Sequence, residues 1–146
     1  MNRPLRTPEQ AVFLSVQKTA DVLMGEVAEL LKPAELTPTQ YNVLRILRAA
    51  GDEGLPCGRI AERMLTREPD MTRLLDRLEG RGLIGRARGT DDRRVVRGRI
   101  TDKGRSLLGL LDGPLADLHR RQLGHLGREN LKSLAKLLER ARERTP

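Results

Sequence analysis

Met71-Thr72-Arg73-Leu74-Leu75-Asp76-Arg77-Leu78-Glu79-Gly80-Arg81-Gly82-Leu83-Ile84-Gly85-Arg86-Ala87-Arg88-Gly89-Thr90-Asp91-Asp92-Arg93-Arg94-Val95-Val96-Arg97-Gly98-Arg99-Ile100 is the stretch on which the reading of this chain turns. Met71, Leu74, Leu75 and Leu78 recur at i, i+3, i+4 and i+7, a core stripe on a helix expected over residues 69–81. The remaining face carries Asp70, Thr72, Arg73, Asp76 and Arg77. Arg73 and Arg77 stand one turn apart and project together. Gly80 and Gly82 bracket the helix end. Residues 83–88 and 95–100 then read as two short strands, with turn chemistry in Gly89-Thr90-Asp91-Asp92 between them. Arg86, Arg88, Arg93, Arg94, Arg97 and Arg99 crowd this hairpin, and alternation with Val96, Gly98 and Ile100 leaves one basic strand face.

Working upstream, a short helix is expected over residues 58–65, with Ile60, Ala61 and Met64 inward, followed by a turn at Thr66-Arg67-Glu68. Two short helices and a charged hairpin make a winged helix-turn-helix. The second helix is narrow enough for a major groove, and the arginine fork grips guanine or a phosphate with two bonds. A hairpin tipped with arginine reaches a minor groove or a flanking backbone. Arg77 has two readings, a phosphate contact or a pair with Asp76, Glu79 or Asp70. Residues 51–56 read as a loop, with Leu55-Pro56-Cys57 as a very short extended piece.

The flanks are helical. Thr37-Pro38-Thr39-Gln40 opens a helix to about residue 50, with Tyr41, Leu44 and Leu47 on its apolar face; Thr7-Pro8-Glu9-Gln10 opens the first helix in the same way, with a capping box available to each. Val12, Val16, Leu23, Val27, Leu30 and Leu31 line that first helix, and Pro33 ends it. Downstream, a helix is expected over residues 101–121, kinked or split at Gly113-Pro114. A last helix over residues 126–142 presents Leu131, Leu134, Leu137 and Leu138. Two terminal helices cannot bury such stripes against a small winged helix alone, so a homodimer is expected. The fold class is mostly α, with the small β-hairpin as its only sheet. One domain spans residues 1–146, with a DNA-binding lobe at about 36–100 and dimerisation helices at about 7–32 and 101–142.

Composition narrows the partner. The net charge is +8, from 28 Lys and Arg against 20 Asp and Glu, and one Phe, one Tyr and no Trp are the whole aromatic complement. Such a basic chain favours a polyanion, and without aromatic platforms for unstacked bases it favours duplex DNA. Residues 58–105 hold 14 Lys and Arg against 8 Asp and Glu, so most of the excess sits on one third of the chain. Cys57 alone excludes an internal disulfide. With it, His119 and His125 are too few and wrongly spaced for a zinc site. No Gly-rich phosphate loop or nucleophile elbow is present, so neither an enzyme nor a cofactor is expected. No signal core or membrane-length run appears, which leads to the expectation of a cytoplasmic protein without a membrane partner. A nonspecific architectural DNA-binding protein is the rival reading; it would bind with little sequence preference and lose binding at higher salt.

The order of these elements resembles the MarR family of regulators. The resemblance is carried by Leu36-Thr37-Pro38-Thr39-Gln40, Leu55-Pro56, Ile60-Ala61, residues 71–79, Gly82-Leu83-Ile84, Asp91-Asp92-Arg93-Arg94 and Thr101-Asp102-Lys103-Gly104. Asp92-Arg93-Arg94 matches the family's Asp-x-Arg wing signature. The resemblance implies homodimers with intertwined first and last helices that bind pseudo-palindromic operators, usually as repressors, and often release DNA on binding a small phenolic ligand or on cysteine oxidation. It implies that Pro69, Asp70, Thr72 and Arg73 face the major groove, that Arg94 enters the minor groove, and that Asp92 orders the wing turn. Arg67, Arg77, Arg88, Arg93 and Arg97 complete the expected DNA-binding set. One departure is Arg67-Glu68, where the family commonly has a small capping residue. Phe13 and Tyr41, on the two helices that would border a ligand pocket, are its candidate lining. Cys57 matches no sensing cysteine of the family and reads as a small buried or edge residue.

Overall fold

Two Thr-Pro pairs start the first two helices of the computed structural model, which describes residues 6–144; the remaining residues of the expected domain lie outside the described ones. In α1 (Pro8–Leu31) the Thr7 hydroxyl accepts the Gln10 N–H at 3.1 Å. In α2 (Pro38–Ala50) the capping box is complete: Thr37 Oγ1 accepts the Gln40 N–H at 3.1 Å, and Gln40 Oε1 accepts the Thr37 N–H at 3.0 Å. The box expected at the first helix therefore closes only on its hydroxyl side. A 3-10 turn, Lys32–Ala34, joins the two helices, and the Leu36 N–H returns to the Leu31 carbonyl at 3.3 Å.

Helix α2 is the hub. Val43, Leu44, Ile46 and Leu47 are buried together with Gln40 and Asn42, a wider face than the Tyr41–Leu44–Leu47 stripe expected. The reason is tertiary: α1, α3 (Cys57–Arg63), α5 (Asp102–Leu123) and the middle strand all pack on it. Arg48 grips Asp112 of α5 through two hydrogen bonds of 2.8 and 3.0 Å.

The sheet has three antiparallel strands, which corrects the expectation of a hairpin alone. Leu55–Pro56 (β1), Ile84–Arg88 (β2) and Val96–Ile100 (β3) lie in the order β1-β3-β2, with Leu55 opposite Gly98 and Ile84 opposite Ile100. Pro56 is tolerated because β1 is an edge. The approach to that edge requires glycine: Gly54 has φ +65°, and a Cβ there would fall onto the Gly98 carbonyl. Helix α3 (Cys57–Arg63) follows directly. Ile60 is buried and Met64 half-buried, but Ala61, expected inward, is exposed, because a helix this short offers the core little more than one position.

Helix α4 runs Met71–Gly80, with Leu74, Leu75 and Leu78 buried. Helix α5 runs Asp102–Leu123 without a break at Pro114, so the expected split does not occur. Pro114 forfeits one helical bond, to the carbonyl of solvent-facing Leu110, while Leu111, Leu115 and Leu118 stay buried on both sides of it. A 3-10 turn, Gly124–Leu126, leads to α6 (Arg128–Arg142). No residue of α6 is buried, and only Val27 and Leu31 of α1 are. Val12, Phe13, Val16 and Val22 of α1, and Leu134 and Leu137 of α6, are left exposed. Among the described residues no helix is long and apolar enough to cross a membrane.

Glycine usage yields a test with opposite signs. A Cβ on Gly104 would collide with the Leu83 carbonyl and the Ile100 side chain, whereas one on Gly80 meets nothing within 4 Å. Gly104→Ala is expected to lower unfolding free energy by about 2 kcal/mol despite alanine's helix preference. Gly80→Ala is expected to raise it by about 0.5 kcal/mol. Urea denaturation of both variants checks the pair.

Candidate nucleic-acid interface

The cap of α4 sets where its outer face begins. Asp70 Oδ1 accepts the Arg73 N–H at 3.0 Å, and Glu68 Oε1 accepts the Asp70 N–H at 3.0 Å. The small cap missing at Arg67-Glu68 is thus supplied by Asp70, and the helix starts two residues later than expected. Asp70 is exposed, but one of its oxygens is committed to the helix end. Arg67 and Pro69 are exposed on the turn before it.

Beyond the cap, Thr72, Arg73, Asp76 and Arg77 are exposed on the face opposite Leu74 and Leu78. The two acids that flank these arginines are taken by another group. Arg86, on β2, bonds Asp76 Oδ1 and reaches Glu79 Oε1 at 3.1 Å, while its backbone N–H donates to Glu79 Oε2 at 2.8 Å. The side-chain bond from Arg86 holds the Glu79 carboxyl below the usual carboxylate range, and the same two acids push the Arg86 guanidinium further above its ordinary value. Neither Arg73 nor Arg77 has an ion pair among the described residues. The Asp76 and Glu79 alternatives for Arg77 are therefore already occupied.

The wing loop is closed by the Gly89 N–H to the Val95 carbonyl at 2.8 Å and the Val95 N–H to the Asp92 carbonyl at 3.1 Å. Asp92 Oδ1 accepts the Arg94 N–H at 3.0 Å, an Asx-type turn two residues long. Arg93 and Arg94 stand exposed at its tip, the Arg94 side chain at 94%. The other hairpin arginines are partly engaged. Arg88 donates to the Arg93 carbonyl at 2.8 Å, bracing the loop. Arg97 donates to the carbonyls of Glu53 and Gly54 at 3.1 and 3.3 Å, fastening β3 to the loop ahead of β1. Arg99 is exposed.

Residues named for other roles separate. Phe13 is 60% exposed and lies about 27 Å along α1 from Leu31, where α1 meets the core. Tyr41 packs half-buried against that core, one turn into α2. One chain does not bring the two rings into one pocket. Cys57 is half-buried, and burial pushes its thiol up, away from the reactive thiolate. Sequence reasoning missed the role of Arg86. The signal was present: Asp76 and Glu79, three residues apart, await a cation on the strand that follows.

Known proteins share this fold. Residues 36–96 match the MarR family. A MarR transcription factor of Planctomyces limnophilus is 40% identical over 93% of this chain and 98% of its own, with a TM-score of 0.71. The transcriptional repressor CouR, solved bound to a 23-mer DNA duplex, is 30% identical over 97% of this chain and 100% of its own, with a TM-score of 0.81. The HTH-type transcriptional repressor MdtR of Bacillus subtilis is 37% identical over 64% of this chain and 59% of its own length. The chain spans about half the length of the curated relatives it matches.

The Arg86 clamp titrates in a defined direction. A carboxyl whose folded value lies below its unfolded one stabilises the fold above the unfolded value, about 4.3 for glutamate. That stability is lost as pH falls through the folded value. Arg86→Gln is expected to return Glu79 to the ordinary carboxylate range in an NMR titration. Its melting deficit against the parent should be larger at pH 7 than at pH 3.

Proposed function

Given that this chain belongs to the MarR family of transcriptional regulators, we propose that it represses transcription as a homodimer on a pseudo-palindromic operator. In this reading α4 lies in the major groove and the wing tip meets the flanking minor groove. The observation that carries it is the outer face of α4, where Thr72, Arg73 and Arg77 stand exposed while Arg86 occupies the neighbouring acids. An unpaired guanidinium presents its fork to guanine O6 and N7 or to a phosphate without first breaking an ion pair.

The remaining assignments follow from how far each side chain is committed. Arg93 and Arg94 reach outward from the wing, and Asp92 fixes the turn that presents them. Arg67 and Pro69 meet DNA at the approach to α4. Arg88 and Arg97 act through the shape of the wing, since each already donates to backbone carbonyls. The uncovered apolar faces of α1 and α6 support the dimer, whose two-fold axis would pair the two α4 helices.

Two recognition helices related by a dyad read half-sites one helical turn apart. Selection from random duplexes is expected to return a palindrome with half-site centres about 10 base pairs apart, and inserting about 5 base pairs should abolish tight binding. Arg73→Ala should cost about 1–3 kcal/mol, chiefly on operators bearing the guanine it reads. Indifference to the insertion would replace this reading with that of an architectural binder.

The dimer has its own test. Sedimentation should give twice the 16.4 kDa chain mass. Leu137→Asp, placing a charge on the exposed face of α6, should shift the distribution toward monomer and weaken operator binding more than tenfold, about 1.4 kcal/mol or more.

A further inference from the structure

Between the first turns of α2 and the outer face of α4 lies a groove of about 410 Å³, lined in part by Thr37, Thr39, Gln40, Arg73 and Arg77. Its two ends differ. Arg81 donates to the Ala34 carbonyl at 3.0 Å and to that of Glu35, so the C-terminal half of α4 lies against the approach to α2. Arg77, one turn back from Arg81, therefore adjoins the start of α2. Glu68 and Asp70, also on the groove wall, sit at the opposite end of α4, Asp70 about 10 Å along the axis from Arg77. Both acids accept backbone N–H groups there. The cationic end of the groove is the end that meets α2.

The polar groups at that end can be accounted for one by one. Pro38 has no N–H. The Gln40 N–H is held by the Thr37 hydroxyl and the Tyr41 N–H by the Thr37 carbonyl. Of the first four positions of α2, only the Thr39 N–H is left over, at the positive end of the helix dipole. Gln40 is nine-tenths buried, at 9% exposure, with its Oε1 committed to the Thr37 N–H. Its Nε2 has no partner among the described residues, although the side chain lines the groove. An amide whose spare donors open to the groove, a spare helix N–H, a hydroxyl and an unpaired guanidinium lie along one end of the groove, and all of them can donate.

We propose that this end of the groove seats one phosphate of the DNA backbone, held by Arg77, by Thr39 through its hydroxyl and N–H, and by Gln40 Nε2. The assignment rests on the DNA-binding reading above and adds to it a second anchor, on α2, that fixes how deeply α4 enters the groove. Phosphate contacts position a protein without carrying sequence information, so the anchor should act alike on every duplex.

Gln40→Glu separates this role from folding. Glutamate keeps the acceptor for the Thr37 N–H and suits the start of a helix, but replaces the Nε2 donor with a negative oxygen. The full chain carrying it is expected to melt at or above the parent temperature. Its affinity should fall about tenfold or more on operator and random duplex alike, with a salt slope smaller by about one. Thr39→Val, which removes only the hydroxyl, should lose about three- to tenfold. Affinities for both variants within twofold of the parent would overturn the seat alone. No duplex binding by the parent chain would remove the DNA-binding reading and the seat with it. A loss confined to particular operators would overturn the backbone assignment. So would thermal stabilisation by inorganic phosphate at constant ionic strength that Gln40→Glu abolishes, which would mark a free-anion site.

Discussion

Arg86 is the residue on which the exposed surface depends. It reaches from β2 to Asp76 and Glu79 on α4 and donates its backbone N–H to the second of these. Three consequences follow from one side chain. The wing is fastened to the helix it accompanies, so the two move as a unit. The acids that would otherwise neutralise Arg77 are engaged elsewhere. The guanidinium itself is removed from the outward-facing set, although it belongs to the most basic stretch of the chain. Each bond is charge-assisted, and together they join two elements that the core alone would hold only along the buried leucine stripe of α4.

The same economy applies to the other arginines. Arg48, Arg81, Arg97 and Arg105 are each committed to a carboxylate or to backbone carbonyls within the chain. Arg73, Arg77, Arg93 and Arg99 project outward with no ion pair among the described residues, and Arg94 does so with only a long contact, 3.5 Å, from its Nε to Asp92. Net charge therefore overstates the number of cations available to a polyanion. Long-range attraction depends on the total, while close contact depends on the smaller unpaired set.

The order of elements was legible in the sequence because its signals are local. Thr-Pro starts, leucines at helical spacing and a Gly-Thr-Asp-Asp turn specify their own surroundings. What was not legible depends on distant partners. Leu55–Pro56 reads locally as a short extended piece, but that it joins the sheet as a third strand follows only from its pairing with β3. Pro114 reads locally as a break, yet buried leucines on either side carry α5 through it. At the interface, the exposed arginines of α4 and the wing were readable from pattern. The committed roles of Arg86, Arg88 and Arg97, and the spare donors of Gln40, were not, because each depends on which carbonyl or carboxylate folding brings near. The separation of Phe13 and Tyr41 within one chain was not legible for the same reason: membership of neighbouring helices says nothing about position along them.

The strand order has a consequence for how the chain is made. β1 comes first in the sequence and β3 last, yet β3 is the middle strand. During synthesis, the backbone donors and acceptors of β1 face an empty place until residue 100 has left the ribosome. Gly54 and the loop ahead of β1 wait equally, since the carbonyl that Gly54 packs against and the Arg97 guanidinium that fastens that loop both arrive with β3. The α2–α3 region is thus committed to a partner more than forty residues downstream. A nascent chain stalled short of that point would display an unfilled edge, brief and arginine-free, that only its own continuation is shaped to close.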